Sequence, residues 1–146
     1  MNMTFHGAKL ALFLGADIVS ILRDDIEQIP FPDYWDLPGG GREGSELPVE
    51  CALRETHEEV GLRIEPASVS WGKRFEVKGQ VSWFFAAHLP LSIRAQIVFG
   101  DEGQRWTLMS PKQFMEHSKA VPHFAQRLGV YLSGVPGDEF ERPPAV

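Results

Sequence analysis

From Ala8 to Arg23 the chain reads "AKLALFLGADIVSILR", two apolar runs separated only by Gly15-Ala16-Asp17. Short runs rich in Leu, Ile, Val and Phe and broken by a glycine turn predict two strands, residues 8–14 and 17–23, paired as a hairpin. A period of two returns in "WGKRFEV" and "QVSWFFAAH", with Gly79 at the turn between them. Trp71, Phe75 and Val77 share one face of the first of these strands; Val81, Trp83, Phe85 and Ala87 share one face of the second. Between the two hairpins the spacing changes. Val49, Ala52, Leu53, Thr56 and Val60 recur at three- and four-residue steps, which predicts an amphipathic helix from Pro48 to about Gly61. Proline at its first position and glycine just past its end are the expected punctuation. Leu47 has no capping group, but Glu50 can reach back to its free backbone amide.

A strand at 105–108, a short helix after Pro111 and a last helix from about His123 to Leu132 complete the pattern, a mixed α/β (α+β) chain. Residues 29–45, "IPFPDYWDLPGGGREGS", read as a loop, being rich in proline, glycine and aromatics. One domain over residues 1–133 is expected, followed by a flexible tail, 134–146, with little apolar content.

Composition narrows the function classes. A net charge of -6 argues against a surface built for non-specific nucleic-acid or membrane binding. An anionic small molecule stays compatible with it, because a bound cation reverses the local field. Cys51 is the only cysteine, so no internal disulfide forms, and a reducing cytoplasm fits best. The apolar run after Lys9 has the length of a signal peptide, but Asp17 interrupts it and alternation resumes. No stretch reaches the roughly 18 apolar residues needed to cross a bilayer.

The helix carries the chemistry. At ~100° per residue, Glu55, Glu58 and Glu59 fall together on one side, away from the apolar arc and from His57. Like charges so spaced cost an isolated helix about 0.2–0.5 kcal/mol per pair. Two readings fit the helix alone. Arg54 could tie the acids into a solvated, salt-bridged surface through Glu50–Arg54 and Arg54–Glu58 pairs. Alternatively, a hard divalent cation could sit on the acids, since Mg²⁺ takes oxygen ligands and needs only a few carboxylates plus substrate phosphates.

The residues upstream separate these readings. Gly40–Leu62, "GGREGSELPVECALRETHEEVGL", resembles the Nudix box, the signature of hydrolases acting on a nucleoside diphosphate linked to another group. Gly40, Glu46, Arg54-Glu55, Glu58-Glu59, Gly61 and Leu62 all fall at the family's spacing, a coincidence of about one start in 10⁸ at average residue frequencies. Thr56 departs from the usual aliphatic, and its hydroxyl is expected to bond a carbonyl one turn back.

The resemblance implies a Nudix fold, a mixed β-sheet sandwiched between helices. It implies Mg²⁺, with Mn²⁺ as a substitute, held chiefly by Glu58 and Glu59, supported by Glu55, and completed by the Gly39 carbonyl. Arg54 is expected to brace Glu46 and the acids, while Gly61 ends the helix. Relatives commonly carry a further acid beyond the box; "FGDEGQRW" offers Glu102, with Asp101 as the other choice, as extra ligand or base. Arg23 stands where many relatives hold the substrate phosphate, beside Gly39 and Gly40. His123 precedes the last helix, where it can border a base pocket. Phe31, Tyr34 and Trp35 could touch a base, whereas Cys51 reads as packing. A MutT-like nucleoside triphosphate, cleaved to monophosphate and pyrophosphate, is the expected substrate. ADP-ribose or a nucleotide-sugar, an RNA 5′ end, and a nucleotide-binding regulator on the same fold are the alternatives. A homodimer is compatible with the sequence.

Overall fold

The computed structural model describes residues 4–144. Its first hairpin is β1 (Gly7–Leu14) and β2 (Asp17–Leu22), turning at Gly15. The stretch read as one loop contains two short strands, β3 (Trp35–Asp36) and β4 (Gly39–Gly41). Neither has a period to display at two or three residues. Pairing with β2 and β1 makes them strands, and that is a long-range fact. The chain continues through α1 (Pro48–Val60), β5 (Val69–Val77), β6 (Gln80–Leu89), β7 (Arg105–Met109), α2 (Pro111–Glu116) and α3 (Pro122–Leu132). Short 3₁₀ turns at Pro66–Ser68 and Leu91–Gln96 fill connections.

The strands form one mixed sheet in the order β3-β2-β1-β6-β5, with β4 also on β1 and β7 also on β2. β1 and β6 run parallel at its centre; the other pairs are antiparallel. Helices cover both faces. Leu10, Leu12, Leu14, Trp83, Phe85 and Ala87 pack on the side of α1, against Val49, Ala52, Leu53 and Val60. Ala11, Phe13, Phe84 and Ala86 pack on the other side, against Phe114 of α2 and Leu128 of α3. A strand buried on both faces has no polar side, which is why the run in β1 looks like a signal peptide. The sandwich expected from the resemblance is therefore present. Lys78 and Gly79, both at positive φ (52° and 78°), make the two-residue turn between β5 and β6.

Residues 135–142, within the tail read as loose, lie along β5. Asp138 donates its backbone N–H to the Gly72 carbonyl (2.8 Å) and accepts the Arg74 N–H on its carboxylate (2.8 Å). Arg142 donates to the Val69 carbonyl at 2.6 Å, and Phe140 meets Phe85 edge-on at 4.9 Å. Gly137 sits so close to β5 that an added Cβ would fall 2.5 Å from the Gly72 oxygen. One aromatic and one arginine in a polar segment give no periodic signal, so only the folded sheet shows where they go. Phe140→Ala is expected to remove about 1–2 kcal/mol of burial and lower the melting midpoint by about 3–8 °C, checked by thermal unfolding.

Candidate active site

α1 begins at Pro48, with the Leu47 N–H donated to the Glu50 carboxylate (2.7 Å), and ends at Gly61 in the left-handed conformation. Its apolar arc is buried, and the Thr56 hydroxyl donates to the Ala52 carbonyl at 2.7 Å. That leaves Glu55 and Glu59 against the glycine strand, with Glu58 exposed beside Arg54.

Arg54 holds this side together. It donates two hydrogen bonds to Glu46, both 3.0 Å, one to the Gly41 carbonyl (2.8 Å) and one to Glu58 (3.0 Å). Its guanidinium also lies 3.6 Å from Glu55 and 3.3 Å from Glu43. Burial works against the Glu46 charge, yet the Arg54 hydrogen bonds and a backbone N–H outweigh it, so this carboxyl sits below its ordinary value. Arg54 thus ties Glu46, Gly41 and Glu58 to one guanidinium.

The glycines let backbone and acid meet. Gly39 has φ +134°, and a Cβ there would fall 2.2 Å from the Ala8 oxygen; at Gly40 it would fall 2.5 Å from Glu55 Oε2. The Gly39 N–H donates to Glu59 Oε1 at 2.8 Å. Cys51 packs beneath, its Sγ 3.5 Å from the Gly40 carbonyl, with burial pushing the thiol up to about 12, so it stays a thiol.

Lys9 is the residue that sequence reasoning missed. From β1 its Nζ donates to the carbonyls of Gly39 (3.0 Å) and Leu37 (3.1 Å) and pairs with Asp36 (3.1 Å). A lone lysine inside an apolar strand was the available signal. Asp36 is itself buried and also takes Arg23 at 2.8 Å. Arg23, expected near substrate, spends its guanidinium on Asp36 and the Pro30 carbonyl (2.9 Å) and does not line the cleft described below.

Burial raises the Glu59 pKa to about 8; Lys9 and the Gly39 N–H oppose this, while Glu55 and Asp36 add to it. Glu55 is also raised, chiefly by burial; Arg54 opposes, and Glu58 and Glu102 add to the rise. Glu102 is solvent-exposed yet close enough to act on Glu55. Its loop is docked on the end of α1 by Val98 N–H to the Val60 carbonyl (3.0 Å) and Gly100 N–H to the Glu59 carbonyl (2.9 Å). A Cβ at Gly100 would fall 2.3 Å from the Glu58 oxygen, so glycine is what permits this approach.

Among the described residues, no three of His, Cys, Asp and Glu converge into a ready-made metal shell. The donors on hand are nonetheless all hard oxygens: the carboxylates of Glu55, Glu58 and Glu59 and the carbonyl of Gly39. Such a set fits a cation that keeps water and substrate oxygens in its shell, as Mg²⁺ does.

Beside the glycine strand opens a cleft of about 900 Å³ between the start of β1, the β5–β6 hairpin and the first turns of α3. Lys9, Gly40, Trp83, His123, Phe124 and Arg127 are among its walls, and no carboxylate is. In a chain of net charge -6 that is a marked local reversal. His123 borders the cleft, its pKa lowered by burial and then by Arg127. Phe31 stands 5.8 Å from His123 and 5.3 Å from Tyr34, whereas Trp35 is buried as an anchor.

The fold and site define a mixed-sheet domain with a braced carboxylate helix and a glycine strand at the mouth of a cationic cleft. The chain belongs to the Nudix family: the NUDIX domain model matches residues 7–128. Membership makes it a hydrolase of the pyrophosphohydrolase kind. It is 26% identical over 133 residues to an uncharacterized Nudix hydrolase, PA4841, of Pseudomonas aeruginosa, covering 87% of this chain and 77% of that protein. Its fold is similar to that of a MutT protein from Methanosarcina mazei Go1 (TM-score 0.71, 16% identity, 91% of this chain, 96% of the other). It is also similar to a bifunctional NMN adenylyltransferase/ADP ribose pyrophosphatase from Francisella tularensis, complexed with AMP and Mn ion (TM-score 0.68, 17% identity, 91% of this chain, 42% of the other). Among the described residues no helix is long and apolar enough to cross a membrane.

Two outcomes follow for the metal-free protein. Folded Glu59 takes its proton near pH 8 against an ordinary value of 4.5, so folding takes up a proton in between. Stability in chelator therefore falls as pH rises through that window and levels off above it. Glu59→Gln is expected to raise the melting midpoint in chelator at pH 8, by about 2–4 °C for each kcal/mol recovered, with little change at pH 5. Gly100→Ala is expected to displace the loop carrying Glu102 and lower kcat about tenfold or more with the fold kept, read from circular dichroism alongside kinetics.

Proposed function

We propose that this enzyme cleaves the diphosphate linkage of a nucleotide, with a nucleoside triphosphate giving monophosphate and pyrophosphate as the first candidate. The observation that carries this reading is the juxtaposition of an acid helix face with a cleft free of carboxylates across a single glycine strand. The acids suit Mg²⁺ or Mn²⁺; the cleft suits the anionic molecule such a cation would accompany.

Glu55, Glu58 and Glu59, with the Gly39 carbonyl, would hold the cation, and Glu102 would join them as a further ligand or as the base. A divalent cation there supplies charge neutralisation at phosphate oxygens and a more acidic water. The remaining chemistry is the chain's own. Gly40 lines the cleft wall, and its missing side chain is what lets Glu55 come up against that strand. Lys9 adds a positive charge beside Gly39, which favours phosphate over neutral ligands. The Glu102 carboxylate, exposed on its docked loop, would serve as a further ligand or accept the proton of the attacking water. Arg54 acts by holding Glu46, Gly41 and Glu58 in place and is a positioning residue. Arg23 braces the loop around Pro30 and Asp36.

The cleft's volume also admits a second sugar, so ADP-ribose and nucleotide-sugars belong in the same assay. The test is a panel of nucleoside triphosphates, oxidised forms included, dinucleoside polyphosphates, ADP-ribose and nucleotide-sugars with Mg²⁺, scored by released phosphate or pyrophosphate. Turnover is expected on at least one class, with Glu59→Gln lowering kcat by about 10³-fold and Glu102→Gln by about 10²-fold. Unchanged turnover in Glu59→Gln would remove the assigned role of that acid. Binding without hydrolysis across the panel would replace the enzyme by a nucleotide-binding regulator.

A further inference from the structure

α3 carries one charged side chain to which the fold gives no opposite charge. Arg127 is 9% exposed, and its guanidinium lies 4.5 Å from the ring centre of Phe75 and 5.9 Å from that of Phe124. Among the described residues its one hydrogen bond goes to the Ser82 hydroxyl (3.2 Å), and no carboxylate pairs with it. Burial accordingly lowers its pKa, with nothing to hold it up. A guanidinium presents five N–H donors in one plane and accepts nothing. As a clamp between α3 and the sheet it is a costly choice, because an apolar side chain of similar length would pack there without stranding a charge.

What the clamp leaves unexplained is the direction of the side chain, which faces the cleft. Beside it the rings of Phe124 and His123 and the Ser82 hydroxyl line the same cleft, while Trp83 is buried on the α1 side of the sheet. A wall of that kind suits a flat heterocycle better than a free phosphate, and Gly40, against which Glu55 packs, lines the same cleft for the phosphates.

We propose that Arg127 determines base specificity in this cleft, and that it selects an edge bearing two acceptors, the O6 and N7 of a 6-oxopurine, over its 6-amino counterpart. The inference rests on the reading of the cleft as the nucleotide-binding site. The planar fork donates to both acceptors at once. A 6-amino group would instead turn N–H toward N–H, leaving donors on both sides unpaired in a buried place, the situation that discriminates most strongly.

IMP and AMP carry the same sugar and phosphate and differ at the 6-position, and their binding is read by calorimetry in chelator, with no turnover needed. The native protein is expected to bind IMP about tenfold or more tightly than AMP. Arg127→Lys keeps the charge but loses the fork, so the ratio should collapse to within about twofold at an unchanged melting midpoint. Equal binding of the two nucleotides by the native protein, failure to bind either, or a preference that survives Arg127→Lys would overturn the assignment. Should that variant unfold, Ser82→Ala removes only the hydroxyl that orients the guanidinium, and a ratio left intact there counts equally against it. Pyrophosphate weakened by Arg127→Lys as much as IMP is, with no preference between bases, would make Arg127 a phosphate anchor and also overturn it. Preference for IMP without hydrolysis of any panel member leaves this inference standing and removes the hydrolase reading; turnover without discrimination does the reverse.

Discussion

The Gly39 N–H to Glu59 hydrogen bond, 2.8 Å long, joins the two parts on which everything else at this site is built. It ties a helix whose acids repel one another to a strand that has no side chains to hold them off. The contact needs Gly39 at φ +134° and no Cβ at Gly40, where Glu55 rests. β4 reaches that position because it pairs with β1, and α1 reaches it because its apolar arc is seated on the same strand. Core packing thus sets the spacing of the polar groups.

The acids are kept close at a cost, and the fold limits that cost from both ends. Arg54 closes the outer side, where Glu58 and Glu43 are solvated and the pairing is worth little by itself. Its two bonds to the more buried Glu46 matter more, since they fix the loop that leads into α1. On the inner side Lys9 supplies an ammonium bound to the carbonyls of Leu37 and Gly39. It lessens the rise in Glu59 without cancelling it, for burial remains the larger effect. A cation that binds this carboxyl has to displace its proton wherever the pH lies below that raised value.

Much of this could be read from residue order. The first hairpin, the α1 boundaries, the Glu50 back-reach and the Thr56 bond depend on contacts within a few residues, and each was expected at its place. The side of α1 that bears Glu55, Glu58 and Glu59 follows from helical spacing alone. What the order did not reveal depends on partners far along the chain. β3 and β4 exist through pairing; the tail is held by Phe140, Asp138 and Arg142 against β5. Lys9 lies 30 residues from the Gly39 carbonyl it binds, and Arg127 lies 45 from Ser82. Arg23 was placed by analogy with relatives, and Asp36, a neighbour no spacing rule would pair with it, takes its guanidinium here.

The distribution of charge explains how an acidic protein can accept an anion. Glu55, Glu58 and Glu59 stand on α1 and Asp101 and Glu102 on the loop that follows β6, while the wall on the other side of the glycine strand is formed by Lys9, Arg127, two histidines and apolar rings. Gly39 and Gly40 form the seam between these halves, thin enough for a ligand to touch both. A ligand that brings cations to one half and acceptors to the other relieves two costs at once: crowded carboxylates on α1 and an unpaired guanidinium on α3. The chain relieves each cost only in part, the first through Arg54 and the second through Ser82 and the Phe75 ring. Under the proposed reading, the bound state would be the arrangement in which these side chains find their partners.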